Sequence, residues 1–353
     1  MAGKIAIVTV AASVNEDDFH SVDQLIKKYG EDRVIHAVWP VNFMAEKEQM
    51  IKIVSDLAAN KDINILIFNQ AVTGTNAAVD KLKETRDDIF IVYCSTQEPA
   101  SESITRANLI IEVNYRGSGH TMVKQAKKQG AKVFVHYSFA RHMALHILSS
   151  RRDSIRETCL SEGLLFLDVT ALDPTDETGS DAAHQFIEND VTKLVQKYGE
   201  DTAFFCSNCH LQTTLIKAVI KNHALYPQPC CPSLNHGFLQ ALGIKIDGYN
   251  TDVTDTIIKA SHITAEKNMS DRLSTWPVSA HILFTNACAE YAISCIEKNK
   301  SRTTIDNDLL LKCMNSYIEE AIGEESSIYM SPYIENGTTY NSYKLILMSY
   351  LDF

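Results

Sequence analysis

Residues 202–222 read TAFFCSNCHLQTTLIKAVIKN, and two readings of this stretch lead to different proteins. As a motif, Cys206-x-x-Cys209-His210 has the spacing by which c-type haem is attached, two thiols bonding the vinyl groups and the histidine ligating iron. As a pattern, TAFFC is a short apolar run suited to a strand covered on both faces, and HLQTTLIKAVIKN continues as a helix. The second reading makes Cys206 to His210 a loop at the carboxyl end of a strand, inside one βα unit. The rest of the chain chooses between them.

Strand-like runs alternate with helical patterns almost throughout. KIAIVTV (4–10), RVIHAVW (33–39), INILIF (63–68), IFIVYC (89–94) and NLIIEVN (108–114) are followed by KVFVHY (132–137), LLFLDVT (164–170), TAFFC and a weaker IKIDG (244–248). In AEKEQMIKIVSDLAAN the apolar residues Met50, Ile53, Val54 and Leu57 recur at three and four, one buried helix face. Further helical patterns fall at 140–161, 181–198, 209–223, 252–268 and 277–299, and DPTDETGSDAA (173–183) reads as a surface loop. Repeated β-α alternation predicts right-handed crossovers and mainly parallel sheets. The strands are too many for one comfortable open sheet, so the expected fold is α/β with two Rossmann-like lobes.

Composition agrees. The 353 residues suit two domains, and 45% hydrophobic with 22% charged residues is the balance of a globular protein. No apolar run reaches the length of a membrane span, so membrane insertion is not expected. A formal charge of −11, with no basic stripe, argues against nucleic acid as a partner. The nine cysteines show no disulfide-framework spacing, and Cys94 and Cys295 sit in apolar runs as small hydrophobes. That favours a reducing compartment. The opening MAGKIAIVTV lacks the features of a signal peptide, so the protein is expected in the cytoplasm, or outside it if a leader has been removed.

Several chemistries are weighed and set aside. Gly117 and Gly119 in NYRGSGHTM could begin a dinucleotide fingerprint, but Met122 holds the third glycine position and no acid follows at the expected distance, so a flexible turn between lobes is preferred. P-loop, nucleophile-elbow and zinc-protease signatures are missing. His142 and His146, four apart in RHMALH, read as a helix-surface pair. A zinc site at Cys206 and Cys209 would need two more ligands, and the adjacent Cys230 and Cys231 look awkward for one tetrahedral site. With the βα context, the loop is read as a pocket loop carrying no covalent haem. No catalytic set can be assembled, and no metal or cofactor is expected.

In open α/β sheets ligands bind beyond the carboxyl ends of the strands. Those ends here are rich in amides, hydroxyls and rings, which together suggest a polar small molecule. The nominated groups are Ala11, Ser13, Trp39, Asn69, Gln70, Thr75, Ser95, Thr96, Asn114 and Tyr115 in the first half, then Ser207, Asn208, His210, Ser233 and His236. His210 is placed to exchange a hydrogen bond with a ligand.

The segments KIAIVTV, NYRGSGHTMVKQAKKQGAKVFVHYSFARHM, LSSRRDSIRETCLSEGLLFLDVTALDP and CPSLNHGFLQALGI resemble an uncharacterised bacterial family with the type 1 periplasmic-binding-protein fold. That fold is shared with sugar-binding proteins and with effector domains of lactose-repressor-type regulators. The resemblance implies a first lobe of 1–115 plus about 277–299 and a second of 118–272 plus about 300–353. It makes NYRGSG and LSTWPVS hinge crossings, with Trp276 beside a cleft. It also nominates Ser138, Phe139 and Arg141 in HYSFARHM as ligand contacts, Arg141 offering a bidentate fork, while Arg151 and Arg152 are expected in surface salt bridges. The function so implied is closure of two lobes around a polar ligand, in transport or sensing, without catalysis. Its partners would be that ligand and a membrane transporter or signalling protein. The alternative is an enzyme using a nucleotide or metal cofactor in the same cleft.

Overall fold

The structure, a computed structural model, describes residues 3–175, 179–245, 253–323 and 326–353. The apolar runs become strands: β1 (Lys4–Thr9), β2 (Val34–Val38), β3 (Ile63–Phe68), β4 (Phe90–Cys94), β5 (Leu109–Val113), β6 (Val133–Ser138), β7 (Leu165–Thr170) and β8 (Thr202–Cys206). They are followed by β9 (Ser274–Thr275), β10 (Ile328–Glu335), β11 (Thr338–Met348) and β12 (Leu351–Asp352). The chain divides into two compact units, residues 1–113 with 280–347, and residues 114–279 with 348–353.

The first unit holds a seven-stranded sheet in the order β10-β11-β5-β4-β3-β1-β2, parallel from β2 through β11. Alternation along its strands divides the core. Ala6, Val8, Leu66, Phe68, Ile91 and Tyr93 pack with Met50, Val54, Val79 and Leu82 of two helices. On the helix Ala280–Glu297, apolar on nearly every side, Tyr291 meets Phe90 of β4 edge-on at 6.2 Å between ring centres. Residues 300–347 belong to this unit and not to the second lobe expected from the sequence. The cause is β11, which pairs in parallel with β5, Tyr343 opposite Ile110. Asn336 and Gly337, both with positive φ, turn the chain from β10 into β11 as a hairpin. Pro332 is tolerated because β10 is an edge strand.

The second unit is built on β7-β6-β8, all parallel. β6 and β8 are buried throughout, whereas β7 is an edge strand with several exposed residues. Beyond β8 the sheet continues, among the described residues, as single bridges, Ala203 to Leu225 and Tyr226 to Leu273. The reason is local: Pro227 and Pro229 have no N–H to donate, so the chain leaves the ladder after Tyr226. Of the expected strand IKIDG, Ile244 and Lys245 lie in no strand, and 246–248 lie outside the described residues.

NYRGSGH proves not to be a flexible turn. Residues Tyr115–Lys128 form a helix, capped by Asn114, whose Oδ1 accepts from the Gly117 N–H at 2.8 Å. Gly119 is small for packing: a Cβ there would lie 2.7 Å from the Arg151 carbonyl oxygen of the helix His146–Glu162. The unit boundaries fall at 113/114, 279/280 and 347/348. No helix among the described residues is long and apolar enough to cross a membrane.

Candidate functional site

In the second unit the carboxyl ends of β6 and β8 and the segment 227–237 bring the most chemistry together. Cys206 ends β8 fully enclosed, and burial pushes its thiol up to about 12. Beyond it, Asn208 caps a short 3-10 turn (Cys209–Leu211) by accepting from the His210 N–H at 2.9 Å. The loop is braced from below. The buried Gln212 amide donates to the carbonyls of Cys206 at 3.0 Å and Asn208 at 2.6 Å, and its own oxygen accepts from the Tyr226 hydroxyl. Cys206 therefore points into the core while Cys209 and His210 stand exposed.

Cys209 meets two other thiols. Its sulfur lies 3.3 Å from that of Cys230 and 3.8 Å from that of Cys231, and the Cys230 and Cys231 sulfurs are 3.9 Å apart. His236 Nε2 approaches Cys230 Sγ at 3.4 Å, and the four donor atoms all lie within 4.8 Å of one another. Adjacency of Cys230 and Cys231 thus does not keep them apart, contrary to the sequence expectation, because the chain bends at both residues. Gly237 lets the His236 loop lie against the helix Gln212–Lys221: φ is +89°, and a Cβ would come within 3.0 Å of Gln212 Cβ. The Cys209 thiol is held well below its usual value, first by hydrogen bonds from Cys230 and Cys231, with the Arg151 charge adding to them.

Arg151 corrects another expectation. It is not in a surface salt bridge but 2% exposed, its guanidinium 4.8 Å from the Phe205 ring centre and 5.4 Å from that of Tyr115. One Nη donates to the Cys230 carbonyl at 3.0 Å, and Nε has no hydrogen-bond partner. Among the described residues no carboxylate pairs with it. Arg152 does form surface pairs, with Asp153 at 2.9 Å and Asp168 at 3.0 Å. Asp168 also accepts from His136 at 2.9 Å, while burial lowers the pKa of that imidazole.

Next to this region, Ser138 and Phe139 at the end of β6 are buried. Arg141 is half-exposed, its fork engaged bidentately by the buried Asp173 at 2.8 and 3.0 Å and its plane 5.2 Å from the Phe139 ring centre. That pairing holds the Asp173 carboxyl well below the usual carboxylate range. His142 bonds Ser207 Oγ at 3.0 Å. It does not share a helix with His146, because Ala140–Met143 and His146–Glu162 are separate helices. Ser233 is buried, and Trp276 is fully enclosed in this unit.

The first unit's nominated residues follow β1 to β4 as expected, but many are spoken for. Trp39 is 2% exposed, stacks on Phe68 and donates to the Gln70 carbonyl at 3.2 Å. Asn69 donates to the His281 carbonyl and Thr285, and Thr75 to the Val72 carbonyl. The N-terminus of the helix Thr75–Lys83 already holds an anion, since Glu98 accepts from the N–H groups of Gly74 at 2.9 Å and Asn76 at 2.6 Å. Thr96 Oγ1 accepts from the Glu98 N–H. Ser95 is buried with φ +46°, a strained conformation for a serine. Ala11 is partly exposed and Ser13 exposed. A shallow open depression of about 560 Å³ between Asn114, His120, Ser154 and Glu157 lies on the helical flank of the second unit.

Residues 4–274 match the model of the family described as a protein of unknown function, DUF3798. The chain belongs to this family. An uncharacterized protein of Treponema pallidum (strain Nichols) is 31% identical over 165 residues, covering 47% of this chain and 76% of that one. A solved structure from Clostridium difficile 630, named as a candidate transcriptional regulator, superposes with a TM-score of 0.89 at 22% identity over 99% of both chains. The arabinose binding protein AraP of Geobacillus stearothermophilus matches with a TM-score of 0.53 at 10% identity, covering 87% of this chain and 92% of that one. This DUF3798 chain has the type 1 periplasmic-binding-protein fold, with mainly parallel sheets in two α/β units.

Sequence reasoning missed the four-residue sulfur and imidazole cluster, and it missed Arg151. A signal for the cluster was present, Cys209 in the 206–210 motif and a Cys-Cys pair followed by histidine at 236, but their meeting depends on Pro227 and Pro229 ending the sheet.

Proposed function

We propose that this chain is a binding protein for a small polar ligand, closing its two units around it in transport or sensing and performing no chemistry on it. The observation carrying the reading is the fold, which places loops rich in hydroxyls, amides and cations at the carboxyl ends of parallel strands, where α/β sheets bind ligands. Sugar-type ligands are the first class to try, because the similar AraP is an arabinose binding protein. Arg141 is the proposed main contact. Asp173 orients its planar fork and the half-exposed guanidinium lies by Phe139, an arrangement suited to hydroxyl pairs or a carboxylate.

The test is a thermal-shift screen of sugars, nucleosides, amino acids and vitamins against the full chain, since a ligand of the folded state raises its melting temperature with concentration. A hit should weaken by about one to two decades in affinity in Arg141→Ala, the loss expected of a charge-assisted hydrogen bond. Arg152→Ala should change it little. Equal binding by the two variants would remove Arg141 from the site.

A further inference from the structure

We infer that Cys209, Cys230, Cys231 and His236 form a site for a single tetrahedral metal ion, zinc, in the second unit. With Zn–S near 2.3 Å and Zn–N near 2.0–2.1 Å, a tetrahedron has S···S edges of about 3.8 Å and S···N edges of about 3.5 Å. The sulfur separations here are 3.3, 3.8 and 3.9 Å, and the Cys230 to His236 separation is 3.4 Å. Polynuclear iron–sulfur clusters do not fit, because iron atoms and bridging sulfides would have to stand between sulfurs that already touch. A disulfide is not formed either, since all these cysteines are free and the shortest S···S distance exceeds a bond of about 2.05 Å.

The second observation is independent of the cluster's geometry. Arg151 is a buried cation with an unpartnered Nε and no carboxylate pairing among the described residues. A buried charge without a counter-charge is costly. It sits against the cluster, one Nη donating to the Cys230 carbonyl at 3.0 Å. Zinc bound by three thiolates and a neutral imidazole carries one net negative charge, which Arg151 would balance. On binding, each sulfur coordinates as a thiolate, the protons still held by the thiols leaving to solvent, and His236 donates its Nε2 lone pair, its other ring nitrogen keeping the proton.

Three sulfurs and one nitrogen close the coordination sphere, so the ion is structural and carries no activated water. It would fasten the loop after β8 to the segment 227–237, two stretches that the broken sheet ladder leaves unjoined. This inference stands apart from the ligand-binding proposal, since metal content is read without any small molecule.

The experiment uses the full chain purified under reducing conditions, with metal content by plasma mass spectrometry and native mass. The expected result is about one zinc per chain. After removal by chelator, cobalt(II) should give thiolate-to-metal charge transfer and the intense visible bands of a tetrahedral centre. Cys209→Ser, at an exposed position, and His236→Ala should each lower metal affinity at least tenfold, about the loss that even an outer-shell change causes. Cys313→Ser, in the first unit, should leave it unchanged. Zinc removal should also speed hydrogen exchange in 207–210 and 230–237. The inference is overturned by metal-free protein that takes up no zinc, by an octahedral cobalt spectrum, by full metal retention in both ligand variants, or by a Cys209–Cys230 disulfide in reduced protein.

Discussion

Glu112 on β5 should make the first unit lose stability as pH rises. The carboxyl is buried in the sheet and accepts from the Tyr343 hydroxyl at 2.5 Å. Burial raises its pKa from 4.5 to about 7, outweighing the opposing effects of Tyr343 and His281. The folded chain therefore holds a proton that the unfolded chain releases above about pH 4.5. The stabilising contribution is complete below that pH, falls between about 4.5 and 7, and is gone above the folded value. A shift of this size corresponds to about 3 kcal/mol, or roughly a hundredfold in the unfolding equilibrium. Glu112→Gln keeps an acceptor for Tyr343 and carries no charge. The variant should match the parent near pH 4.5 and exceed it by up to about 3 kcal/mol at pH 8. Denaturant unfolding followed by Trp39 fluorescence, in a Trp276→Phe background, reports on this unit because Trp39 is enclosed within it. A difference between the two proteins that does not change with pH, or a glutamine variant less stable at pH 8, would refute the reasoning.

Two further outcomes are expected. Gly237→Ala should destabilise the second unit by about 1–3 kcal/mol, since φ is +89° and the added carbon would crowd Gln212 and Ile216; chemical denaturation measures it, and an unchanged midpoint counts against the close packing described. Protein produced with haem-attachment machinery should give no pyridine haemochrome signal, because Cys206 is fully enclosed beneath the loop and cannot reach a vinyl group; a covalent haem spectrum would mean the loop opens.

The fold was readable where a strand is buried on both faces. TAFFC, INILIF and KVFVHY carry continuous apolar runs, and their strands lie within a residue of the expected bounds. The region after residue 300 was not readable in the same way. Pro332, Asn336 and Gly337 interrupt the apolar pattern, so β10 and β11 become visible only through the pairing of β11 with β5. The candidate site follows the same division. Positions after strands were foreseeable, since loops at carboxyl ends are fixed by the alternation. Which side chains meet was not. Arg141 finds Asp173 thirty-two residues away, and Cys209 finds Cys230 across a sheet that stops at two prolines. Arg151 and Arg152 are neighbours in sequence, yet one is buried against Phe205 and the other faces solvent carboxylates, a difference set by helix phase.

The division of the chain between its units bears on the order in which they form during synthesis. Residues 114–279 supply nearly all of the second unit as one uninterrupted segment, whereas the first unit needs 280–347 before helix 280–297 and β11 can cover its sheet. Domains generally fold as units once their segments have left the ribosome. The amino-terminal five strands are thus made first but completed late, and must wait with one face of β3 and β4 and one edge of β5 uncovered while the second unit is translated. An apolar sheet held open in this way is a target for chaperones and for aggregation. Limited expression capacity in this chain would therefore trace to the nascent first unit, and slowing translation before residue 280 should aggravate it.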